Sequence, residues 1–137
     1  MNPHVSGITL GVRDLSRAKQ FYSEGLGWLI QQEQGEWVSF RLNHGASALG
    51  LLPREALADD AGVAAGGSGF RGMVLSYIVR TEERVDAVLA EAKRAGGEIA
   101  KPATRGPWGG YSGTFADPDG YLWKVVVGPG EHQSFAE

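Results

Sequence analysis

The sequence predicts an α+β fold built from two βαβββ halves. Two stretches with helical spacing, Leu15–Leu26 and Val85–Ala92, each follow a strand-like stretch and precede several more. The breaks between stretches are rich in glycine, which supplies 21 of the 137 residues and suits short strands joined by tight turns. Landmarks also recur: Val12 and Val79 close the first strand of each half, and Gly27 and Gly96 close the helices. An internal duplication accounts for this most simply. A lone βαβββ unit exposes one face of its sheet, and pairing two halves covers those faces.

Residues 5–13 alternate and carry β-branched residues, so they read as a strand. Asp14 is placed to cap a helix whose apolar positions are Leu15, Ala18, Phe21, Tyr22 and Leu26, ended by Gly25 and Gly27. Strands are expected over Trp28–Glu33, Trp37–Leu42 and Ala46–Leu52, separated by Gln34-Gly35 and Asn43-His44-Gly45. Residues 55–72 are rich in Ala and Gly with little periodicity, and read as a linker or flap with one helical turn at Arg54–Leu57. Beyond it, Met73–Arg80 is a strand, and Thr81 caps a helix with the apolar stripe Val85, Val88, Leu89 and Ala92, stopped by Gly96-Gly97. Glu98–Lys101, Gly109–Ala116 and Tyr121–Val127 complete the second half. The last two are joined by Asp117-Pro118-Asp119-Gly120, a strong turn signal. The expected organisation is one domain: module one over 5–54, the linker over 55–72, module two over 73–128 and a tail over 129–137.

Composition narrows the function classes. A chain of this length buries about two-thirds of the surface it exposes when unfolded, so it can hold its own core. Hydrophobic residues make up 42% and charged residues 21%, which is globular. There is no cysteine, which excludes disulfides, thiolate metal sites and a cysteine nucleophile. The net charge of −3, with no Lys/Arg cluster, argues against a nucleic-acid partner. No apolar run is long enough to span a bilayer and no secretory signal is visible, so the expected location is cytoplasmic, with no membrane partner. No G-x-S-x-G elbow is present, and Ser68, in a Gly-rich run, lacks the context of a phosphate-binding loop.

Ile8–Trp28, ITLGVRDLSRAKQFYSEGLGW, resembles the opening signature of the vicinal oxygen chelate superfamily, which includes glyoxalase I, extradiol dioxygenases and bleomycin-resistance proteins. The signature is a strand, Asp-Leu, a helix with Phe-Tyr, then Leu-Gly. The second half repeats it loosely, and Phe115–Val127, FADPDGYLWKVVV, resembles the family's final hairpin. The resemblance covers nearly all of residues 5–128. It implies two βαβββ modules forming a half-barrel pair around a U-shaped cavity, and commonly a homodimer.

In metal-dependent members the resemblance places ligands at four points, which fall here on Gly7, near Gly50, at about Val74 and on Lys124. Gly and Val offer no donor, and a Lys ammonium repels a cation. His4, His44 and His132 lie at a terminus, a turn and a tail, and read as surface residues. No metal and no other cofactor is therefore expected. The candidate ligand-binding residues are Trp108 and Tyr111, set among glycines in Lys101–Gly113, with Arg105 beside them, Trp37 in the matching first-half strand, and Lys124. Trp37 and Phe40 are three apart on a strand, so one faces the cavity and the other the helices. By the same alternation Trp123 packs on a helix if Lys124 takes the ligand direction. Lys124 is the candidate anion anchor, or the acid/base of a metal-independent lyase or isomerase. Its internal partners could be Glu33, Glu36 or Glu98. Two readings follow: a metal-free binder of a small, partly aromatic or anionic molecule, or such an enzyme.

Overall fold

The structure, a computed structural model, describes residues 1, 3, 5–61, 64–67, 69–71, 73–106 and 110–128. His4, Trp108, His132 and the tail from 129 lie outside the described residues. The chain divides into two units, Met1–Gly67 and Ser68–Glu137.

In the first unit, β1 (Gly7–Val12) leads into α1 (Leu15–Gln20). Asp14 is extended, and its Oδ1 accepts from the Arg17 N–H at 3.1 Å, satisfying one of the free donors of the first turn. The expected helix through Leu26 does not stay α-helical. It widens into a π turn over Phe21–Gly25, where the adjacent Phe21 and Tyr22 are both buried, and the chain reverses at Gly27 with φ 77. β2 (Ile30–Gln34), β3 (Trp37–Leu42) and β4 (Ser47–Pro53) follow. The sheet order is β1-β4-β3-β2, with β1 parallel to β4 and the other pairs antiparallel. Trp28, expected in a strand, instead joins a ring cluster, its centroid 5.3 Å from Tyr22 and 6.2 Å from Phe40.

The helical turn expected at Arg54–Leu57 is a longer helix, α2 (Arg54–Ala61). Three of its eight residues are Ala, and Arg54, Glu55 and Leu57 are also good helix formers. Gly11 admits it to β1: a Cβ at that position would stand 3.2 Å from Arg54 Cα and 3.3 Å from Leu57 Cδ2. Arg54 then ties down the chain beyond, donating from Nε to the Ala65 carbonyl at 2.7 Å and from Nη2 to that of Gly67 at 2.9 Å.

The second unit repeats the pattern with β5 (Val74–Val79), α3 (Glu82–Arg94), β6 (Glu98–Arg105), β7 (Tyr111–Ala116) and β8 (Leu122–Val127), in the order β5-β8-β7-β6. Thr81 caps α3 by accepting from the Arg84 N–H at 3.1 Å, and Val85, Val88, Leu89 and Ala92 are the buried stripe. β6 runs past its expected end at Lys101 to Arg105. Pro102 is tolerated there because β6 is the sheet edge and its pairing with β7 shifts register between Lys101 and Thr104.

Each sheet has one face under its helix. In the first unit Leu10, Val12, Val38, Phe40, Leu49 and Leu51 meet Ala18, Phe21 and Tyr22, all at most 1% exposed. Each large side chain so buried contributes about 1.5–3 kcal/mol relative to exposure. In the second, Phe115 and Trp123 stack with centroids 6.1 Å apart, and α3 lies so close that a Cβ at Gly113 would be 2.5 Å from Leu89 Cδ1.

Candidate functional site

Strand alternation fixes the face opposite the helices. Because Val38 and Phe40 are core, Trp37, Ser39 and Arg41 lie on the other side of β3. The register pairs Ser39 with Gly50 and Gly50 with Thr9, while Gly7 pairs with Ala48. Gly7 and Gly50 are thus diagonal neighbours on this open face. In the second unit Val74 pairs with Leu122 and Ser76 with Lys124, so Val74 and Lys124 stand in the same diagonal relation. The four positions where the resemblance places metal ligands therefore fall on matching points of the two sheets.

Their chemistry does not fit a divalent cation. Gly7, Gly50 and Val74 carry no side-chain donor, and Lys124 is cationic. Among the described residues no group of three or more His, Asp or Glu could hold a metal ion. At Gly50 the space is filled: the half-buried Trp37 indole lies across it, and a Cβ there would be 2.1 Å from Trp37 Cη2 and 2.5 Å from Cζ3. The indole Nε1 donates to Gln32 Oε1 at 3.1 Å, which fixes the ring against the sheet. The alternation expected for Trp37 and Phe40 is observed, with Phe40 in the ring cluster 5.8 Å from Tyr22.

Lys124 is exposed, between Ser76 on β5 and Thr114 on β7, while its neighbour Trp123 is buried on the α3 side. Among the described residues it forms no ion pair. Of the carboxylates considered for it, Glu33 is paired with Lys19, and Glu98, in the same sheet as Lys124, makes no ion pair with it.

Arg105 and Tyr111 come together elsewhere. Tyr111 shares the helix-facing side of β7 with Gly113 and Phe115, and its hydroxyl donates to Asp86 Oδ1 on α3 at 2.7 Å. Arg105 makes a two-point pair with Glu82 in the first turn of α3, Nη1 to Oε2 at 2.8 Å and Nη2 to Oε1 at 2.9 Å, with its guanidinium 5.8 Å from the Tyr111 ring centre. Donating a hydrogen bond to a carboxylate favours the neutral phenol, which raises the Tyr111 pKa above its ordinary 10.0; slight desolvation and the negative charge of Asp86 add to this. These two residues thus engage α3 and lie on the opposite face from Lys124. Gln32, Ser76 and Thr114 were not singled out in the sequence, because cross-strand partners depend on register and a single sequence does not display it.

The sequence profile of the Glyoxalase/Bleomycin resistance protein/Dioxygenase superfamily matches residues 4–125. A glyoxalase-related enzyme from Fulvimarina pelagi is 35% identical, with a TM-score of 0.82 over 93% of this chain and 89% of that one. A glyoxalase/bleomycin resistance protein/dioxygenase family enzyme from Burkholderia phytofirmans PsJN, 21% identical, has a TM-score of 0.78 over 90% of this chain and 98% of its own. A lactoylglutathione lyase from Agrobacterium tumefaciens, 20% identical, has a TM-score of 0.70 over 93% and 96%. These last two share the fold. No curated protein matches. The matched profile, the two βαβββ sheets of identical strand order and the paired open-face positions lead to one conclusion: the chain belongs to the Glyoxalase/Bleomycin resistance protein/Dioxygenase superfamily.

Proposed function

We propose that the protein binds a small, partly aromatic or anionic organic molecule without a divalent metal ion. The observation that carries this reading is the Trp37 indole lying across Gly50. The family resemblance puts a metal-binding carboxylate near Gly50, and this chain packs a flat, weakly polar ring there. An indole held against a sheet by its N–H is a stacking surface for a planar ligand, worth on the order of 1 kcal/mol beyond area burial. Lys124 on the second sheet supplies a cation for an anionic ligand. The protein also forms a homodimer in this reading.

The test is a fluorescence titration with a panel of aromatic carboxylates and their amides, followed by recovery of each compound. Saturable quenching of tryptophan emission, recovery of the compound unchanged, and well under one equivalent of Zn, Ni, Mn or Fe by elemental analysis are expected. Gly50→Ala forces the indole away and weakens binding roughly tenfold, as does Trp37→Leu. Conversion of a bound compound moves the assignment to a metal-independent lyase or isomerase working through Lys124. One equivalent of metal that survives mild chelation overturns the reading, and so does a panel without saturable binding.

A further inference from the structure

Lys124 does not stand alone. The register of the second sheet pairs Ser76 with Lys124, Lys124 with Thr114, and Thr114 with Lys101. These four residues make one row across β5, β8, β7 and β6. All four point to the same side, since the alternate residues Trp123, Val125, Gly113 and Phe115 are buried on the α3 side. For Lys101 that side follows from the register shift after Ile99, which pairs with the helix-facing Phe115 while Lys101 pairs with Thr114.

The rows on either side of it along β5 and β8 are apolar: Val74 with Leu122, and Ile78 with Val126. Two ammonium groups and two hydroxyls thus form a polar stripe in an otherwise apolar stretch of β5 and β8. The one carboxylate of the neighbouring row, Glu98 opposite Ala116, makes no ion pair with either lysine. Lys101 and Lys124 sit two strands apart, about 9–10 Å between backbones at the usual strand spacing. Their four-carbon stems allow both ammonium groups to converge above Thr114. Two like charges at this separation with no carboxylate between them repel, and an anion placed over Thr114 relieves that repulsion while accepting from hydroxyl and ammonium donors.

We infer that Ser76, Lys124, Thr114 and Lys101 form a carboxylate-binding row on the open face of the second sheet, so that the preferred ligands are aromatic carboxylates rather than their neutral counterparts. This rests on the reading of the chain as a small-molecule binder. It adds three residues to the single anchor and names the group they recognise.

Benzoate and benzamide, titrated separately into ¹⁵N-labelled full-length protein and followed by amide chemical shifts, test it. Benzoate is expected to saturate and to shift the amides of residues 112–116 and 122–126. Lys124→Met and Lys101→Met are each expected to weaken benzoate roughly tenfold, the loss of one charged hydrogen bond, with Lys124→Arg retaining most of the affinity. Benzamide binding stays unchanged in the Met variants. Both variants lie at exposed positions, so unchanged spectra away from the row confirm that they fold. If both Met variants bind benzoate like the wild type, or if benzoate shifts only amides elsewhere, the row is overturned. If benzamide binds as well as benzoate, the small-molecule reading stands and the carboxylate row fails. If neither compound binds, both fail together.

Discussion

The hydroxyl of Tyr111 and the carboxylate of Asp86 form a contact whose sign is easily checked. The hydrogen bond holds the neutral phenol, so the folded-state pKa lies above the unfolded value of 10.0. The stabilisation is fully present below pH 10 and is lost as pH rises through the folded-state pKa. Site-resolved ¹³C-tyrosine titration is expected to place Tyr111 above 10, and Asp86→Asn to bring it down towards the ordinary value; an unchanged titration in that variant shows that the contact does not form in solution. Tyr111 also marks where single-residue reading reached its limit. An aromatic beside Gly109-Gly110 carries the composition of a ligand contact, yet the parity of β7 directs it to α3. Trp37 had the opposite outcome. That it and Phe40 take opposite faces was legible from their spacing, whereas which face it takes and its rest on Gly50 were not, because that contact joins β3 to β4.

At the scale of elements, capping and turn chemistry were the most legible features. Asp14 and Thr81 both cap as their sequence positions imply. The Asp117–Gly120 turn closes through Asp117, whose Oδ1 accepts from the N–H groups of Asp119 and Tyr121 at 2.9 Å each, and whose carbonyl accepts from Gly120 at 2.9 Å. Gly120 has φ 85, so Gly120→Val is expected to destabilise the protein by about 1–2 kcal/mol, read as a lower denaturation midpoint at constant slope. An unaltered midpoint shows that the turn tolerates a β-branched residue. Less legible were α2 and the far end of β6. α2 has a single large apolar residue, Leu57, too little to mark a stripe, and is held by contact with Gly11, which is distant in sequence. β6 contains a proline that ends a strand in most settings, and only its edge position permits the strand to continue.

At the scale of the whole molecule, the duplication read from Val12, Val79, Gly27 and Gly96 corresponds to two sheets with the same strand order. The lack of donors at Gly7, Gly50, Val74 and Lys124, where the resemblance implies metal ligands, was legible because it is a matter of residue identity. The polar row could not, since it crosses four strands. In the second unit, Phe70, Met73 and Val74 are 70%, 42% and 45% exposed, and they lead into β5, an edge strand of its sheet. Exposed apolar side chains beside a sheet edge, here interrupted in sequence by Arg71, are a natural surface for a second copy. Multi-angle light scattering at micromolar concentration is accordingly expected to give twice the chain mass of 14.6 kDa, and Phe70→Glu to shift the population towards monomer. A wild-type mass equal to that of one chain removes the dimer.

The two strand orders also bear on how the chain acquires its structure. Every ladder among the described residues joins strands of the same unit, and the longest span in each is the parallel pairing of first with last strand, β1 with β4 and β5 with β8. No described ladder requires one end of the chain to find the other. The sequence separation of the sheet pairings is therefore set by half the chain rather than by all of it, and the loop-closure entropy of those pairings is confined to each half. Parallel pairing must wait for the intervening hairpins, so the local antiparallel pairs, β2–β3 and β3–β4 in one half and β6–β7 and β7–β8 in the other, are the natural places for each half to begin.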